Sequence, residues 1–174
     1  MYALVKDGNI TETFESPKAM TINDIQYAQN IFSLWTTAQL KTIGLYTVEE
    51  DKTNLKDDFY YTNASISYVF EDDKVKSSYG TPTAKNLATL KTAKINEMNL
   101  LANYKLQDTD WHVVKASEVS SYTIPDNITT YRASVRTKAN DMETQINNAS
   151  DVAALEALFI YTDGVRPIGE FPEL

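Results

Sequence analysis

Cysteine is absent from this sequence, which removes disulfides and thiolate metal ligands at a stroke. Histidine is nearly absent: His112 is alone, so the commonest general base and metal ligand is available once. The five glycines, at 8, 44, 80, 164 and 169, are scattered, which excludes a glycine-rich phosphate loop; each falls at the end of an expected element. No apolar run approaches the ~20 residues that span a bilayer, and the first residues lack a basic stretch followed by an apolar one. The expectation is a chain that is not secreted, with no membrane partner. The sequons at Asn63, Asn127 and Asn148 carry no weight without secretion.

A basic surplus is also missing. The formal net charge is −8. Acidic residues predominate over residues 49–82 and 147–174, whereas residues 83–146 hold eight basic and seven acidic side chains. No basic face forms, so no nucleic acid is expected as a partner. A balanced helical unit with acidic flanks suits protein–protein packing.

What is present is 43% hydrophobic residues and 23% charged ones over 174 positions, the composition of an ordered globular chain. The predicted fold class is α+β, with a β-rich module over residues 1–80 and a helical domain over residues 83–174. Tyr2–Lys6, Asp7-Gly8 and Asn9–Phe14 spell a hairpin, because Asp-Gly supplies the positive φ angles of a two-residue turn. Thr36 followed by Gln39 is a capping box opening a helix over Thr37–Ile43, with Gly44 at its end and a strand at Leu45–Val48. Residues Ile22–Leu34 fit strand and helix equally. Phe59–Tyr61 and Ser65–Phe70 are β-prone, and Glu71–Lys74 is a turn from which Val75–Tyr79 returns, giving a mostly antiparallel sheet.

Two long helices are predicted beyond residue 83, joined by an extended segment, Asp108–Val114. The first covers Thr83–Leu106, with Leu87, Leu90, Ile95, Met98, Leu101 and Ala102 on one arc. Lys91, Lys94 and Lys105 share that arc, so either their stems lie along apolar surface or the face meets a partner. The second helix starts near Pro125 and carries a cleaner stripe: Ile128, Tyr131, Val135, Ala139, Met142 and Ile146. Trp111, in the connection, is expected to be clamped between the helices, in which case Trp111→Ala costs ~3–5 kcal/mol. An unchanged melting temperature would move Trp111 to an interface. Ser150 is the expected cap of a last helix over Asp151–Ile160, followed by an extended tail.

The search for chemistry ends without a catalytic set. His112 sits between Trp111 and Val113 and reads as a packed side chain. The acidic groups at 49–51, 57–58 and 71–73 lack the spacing and the glycine of a calcium loop and read as solvated loops. Asp108-Thr109-Asp110 has no glycine at the third position of a protease triplet; Asp110 is expected to cap a turn or pair with Arg132 or Arg136. Eleven tyrosines leave open a sugar-binding surface, for which Tyr60, Tyr61 and Tyr68 are the candidates. No enzyme, cofactor or metal is expected.

The run from Leu100-Leu101 to Thr109-Asp110-Trp111, then Pro125, then Tyr131-Arg132-Ala133-Ser134-Val135-Arg136, resembles the phage tail assembly chaperone domain and its tail-fibre-associated relatives. The match covers mainly residues 94–146, and Val135 stands where the family pattern has leucine. A weaker likeness to N-terminal modules of phage tail proteins covers Phe32–Tyr46. The resemblance implies a virion component of the tail, fibre or baseplate, assembled in the host cytoplasm, with other tail or fibre proteins as partners in a large assembly. Two further readings are an assembly chaperone that leaves the finished particle, and a carbohydrate- or receptor-binding module. The resemblance singles out Thr109, Asp110, Trp111, Tyr131, Arg132 and Arg136 as structural or interface residues, and the apolar arc of the first long helix adds Lys91 and Lys94.

Overall fold

A computed structural model describes residues 1–174. The chain is α+β and divides into two compact units, Met1–Thr83 and Ala84–Leu174.

In the first unit β1 (Tyr2–Lys6) and β2 (Asn9–Phe14) form the expected hairpin. Asp7 and Gly8 both take positive φ, 51° and 76°, as a turn whose twist matches its strands requires. The ambiguous stretch resolves into both structures. First comes a small hairpin, β3 (Met20–Ile22) and β4 (Ile25–Tyr27), turned by Asn23 and Asp24 at positive φ. A one-turn helix α1 (Ile31–Leu34) follows. The capping box at Thr36 and Gln39 is formed, and α2 spans Thr37–Thr42. Gly44 then turns the chain at φ 83°. A Cβ there would sit 2.4 Å from the Val5 carbonyl oxygen, so only glycine fits against β1.

The strand β5 (Leu45–Asp51) is longer than expected, buried at both faces where it starts and exposed over its last three residues. Leu45 enters a cluster with Ile22, Ile31 and Leu40, while Tyr46, on the other face, joins Ala3 and Val75. Next come β6 (Tyr61–Thr62), β7 (Ile66–Glu71), β8 (Lys74–Tyr79) and β9 (Thr83–Ala84). The five-stranded sheet has the order β2-β1-β5-β8-β7, and β3-β4 and β6-β9 are two-stranded pairs. The sheet is antiparallel except at its centre, where β5 and β8 run parallel, Val48 opposite Val75. At the β7–β8 turn Asp72 and Asp73 take positive φ, and Asp73 accepts hydrogen bonds from Lys41 (2.7 Å) and from the Tyr46 hydroxyl (2.9 Å).

The second unit departs from expectation at three places. Thr83–Ala84 is extended, and α3 begins only at Leu87, where the Asn86 side chain accepts the Thr89 N–H; it runs to Gln107. The segment expected to be extended is helical: α4 spans Asp110–Glu118. Asp108 and Thr109 keep right-handed helical backbone angles, so α4 resumes after a two-residue junction. In α6 (Val152–Ala157) the cap is Asp151, whose carboxylate accepts the Ala154 N–H at 2.8 Å, and not Ser150.

Between α4 and α6 lies α5 (Asp126–Asn148), with Pro125 just before it. Its six-residue stripe is buried as the spacing requires. It packs on Leu90, Met98 and Ala102 of α3 to make the helical hairpin, closed by Val152 and Leu155 of α6 and by Ile168 and Phe171 of the tail.

Candidate functional site

The residues singled out by the sequence separate into a buried clasp and an exposed face. The clasp caps the C-terminus of α3. A helix end leaves its last carbonyls without partners, and burial makes that expensive. Here α5 supplies the donors. The Tyr131 hydroxyl donates to the Lys105 carbonyl at 2.9 Å, and Arg132 Nη1 donates to the Leu106 carbonyl at 3.0 Å and to Thr109 Oγ1 at 2.6 Å. The Thr109 hydroxyl itself donates to Leu106 at 2.8 Å. Arg132 Nη2 meets Asp110 Oδ1 at 2.8 Å. Arg132 is 7% exposed and Thr109 1%.

Asp110 therefore pairs with Arg132. Arg136 lies a turn further on, is exposed, and reaches only the Arg132 carbonyl, at 3.5 Å. The two lysines are also used within the unit. Lys91 donates to the Asn147 carbonyl at 2.8 Å, capping α5. Lys94 pairs with Glu97 at 2.9 Å and lies 4.4 Å from the Phe159 ring centre. Their stems cover apolar surface while their charges find oxygen or a ring.

Trp111 is the main correction. It is not clamped between helices: Thr109 is buried against Arg132 and Asp110 pairs with that arginine from the surface, while the indole stays 53% exposed. The ring stacks on His112 at 3.8 Å between centroids. His112 in turn is hydrogen-bonded through Nδ1 to the Tyr122 hydroxyl, so the single histidine is a positioning group within an aromatic cluster. Lys115 lies 4.3 Å over the Tyr122 ring.

Leu100, Tyr104, Trp111 and Val114, all exposed, follow one another at spacings of four, seven and three. Because the junction is helical, that spacing keeps them on one side of α3 and α4, away from Leu90, Met98 and Ala102. Sequence reasoning missed this stripe because an extended connection would have broken the register after residue 107.

The other candidates are used elsewhere. Tyr60 is buried, 4% exposed, and Tyr61 and Tyr68 are half-buried. Glu49 and Glu50 pair with Lys74 and Lys52, and no three acidic or histidine side chains converge as metal ligands. A groove of about 700 Å³ runs beside α5, lined by Thr130, Ala133, Ser134, Thr137, Lys138 and Glu170. Its lysine donates to the Ile168 carbonyl and its glutamate pairs with Arg166. No helix is long and apolar enough to cross a membrane. Comparison with family models, with curated proteins and with solved structures finds no match.

Proposed function

We propose that this chain is a non-enzymatic protein of a tailed bacteriophage, a structural component of the tail, fibre or baseplate that works by packing against other subunits. The observation that carries the reading is the exposed stripe Leu100–Tyr104–Trp111–Val114, in which Leu100 and Trp111 belong to the run that resembles the tail assembly domain. The clasp explains that motif physically. Thr109 and Asp110 hold the junction through Arg132, and the helical backbone this preserves presents Trp111 outward. The named side chains thus act as a scaffold for a surface.

Quantitative mass spectrometry of purified particles tests the reading. Peptides of this chain at a level comparable with known tail subunits are the expected result. Their absence from particles, with the chain abundant in the infected cell, would replace the virion role by that of an assembly chaperone released before completion.

A further inference from the structure

From Leu100 to Val114 the four side chains span fifteen residues, the junction residues Asp108 and Thr109 included, a stripe ~21 Å long at the helical rise, or about four turns. Its borders are acidic. Glu97 is a turn from Leu100, Asp108 a turn from Trp111, and Asp110 and Glu118 each a turn from Val114, distances at which side chains on a helix are neighbours.

The ion pairs sharpen this sign. In the Arg132–Asp110 pair the arginine side chain is 9% exposed and the aspartate 57%; in the Lys94–Glu97 pair the lysine is 13% exposed and the glutamate 47%. Both cations lie beneath the surface and both carboxylates face water. Lys115, the cation that this face does carry, lies 4.3 Å over the Tyr122 ring and 5.6 Å from the Trp111 ring centre, so its charge is shared between two aromatic faces. A chain with a net charge of −8 therefore borders its apolar stripe with oxygen.

We infer that the α3–α4 face docks a basic amphipathic helix of another protein, one presenting aliphatic side chains at three- and four-residue spacing flanked by lysine or arginine. A second copy of this chain is the poorer occupant. Two-fold pairing brings the same rim against itself, and opposed like charges disfavour the encounter. The inference rests on the packing role proposed above and supplies the chemistry of the partner.

The test uses the full chain with Trp35→Phe, which leaves Trp111 as its only tryptophan. Two synthetic helical peptides of roughly four turns are titrated, with leucine at the spacing of the stripe and either lysine or glutamate at the flanks. The lysine peptide should shift Trp111 emission to shorter wavelength and bind at least ~10-fold tighter than the glutamate peptide. The gap should close near 1 M salt, where screening acts within about 3 Å. The double change Leu100→Ser and Val114→Ser should weaken binding at least ~10-fold without changing the melting temperature, since both side chains are exposed. Equal binding of the two peptides, or no response of Trp111, would overturn the inference. A dimer of the free chain that Leu100→Glu dissolves would instead assign the face to a second copy. None of these results alters the composition of the particle, so this inference and the proposed function fail separately.

Discussion

Arg132 carries its charge into a place where water does not reach, and three oxygens justify its presence there. They belong to the Leu106 carbonyl, the Thr109 hydroxyl and the Asp110 carboxylate. Removing the guanidinium takes away the donor shared by Leu106 and Thr109 and empties a buried site, whereas neutralising Asp110, more than half exposed, removes only a surface-facing partner. Arg132→Ala should therefore destabilise the second unit by about 3 kcal/mol and Asp110→Asn by ~1 kcal/mol or less, as read by thermal unfolding of the two variants. Equal losses would show that the pair, and not the cap, holds the junction. Asp110 was legible as a turn cap or a partner of Arg132 or Arg136, and the resemblance set Thr109 in the same group. What they belong to was not legible, because the carbonyls they serve carry no side-chain signature.

Among the elements, those with local chemistry were readable. The Asp7-Gly8 turn, the Thr36–Gln39 capping box and the buried stripe of α5 follow from backbone angles, caps and a 3.6-residue period. The helix α4 was not readable. Thr109, Val113 and Val114 are β-branched and favour extended backbone, and the donors that overrule them come from α5, more than twenty residues away. The β3–β4 hairpin was obscured in a similar way, since its turn is Asn-Asp, a weaker signal than Asn-Gly.

One element contact depends on pH from both sides. Hydrogen bonds from Lys41 and Tyr46 hold the Asp73 carboxyl below its ordinary range, and burial, followed by the bond to Asp73, raises the Tyr46 hydroxyl. A lowered carboxyl contributes stability that is lost as pH falls through its folded value, below about 4. A raised hydroxyl contributes stability that is lost as pH rises through its folded value, above about 10. Trp35 emission in a Trp111→Phe background reports the first unit alone. Its denaturation midpoint should be level at neutral pH and decline beyond both limits, and Asp73→Asn should blunt the acid limb. An acid limb unchanged by that substitution would assign it to other carboxylates.

At the scale of the whole molecule, the charge distribution and the packing agree. The balanced segment of the sequence becomes a helical pair whose lysines and buried arginine are spent inside the unit, which leaves carboxylates outside. A stripe of apolar side chains then remains that the chain's own core does not claim. The proposed packing role and the exposure of Trp111 meet in one experiment, the Trp111→Glu variant followed in two readouts. Folding stability should change by no more than about 0.5 kcal/mol, as for a surface site, while the chain is lost from purified particles. A chain that unfolds as Arg132→Ala does, or one that enters particles at the unmodified level, would contradict that expectation.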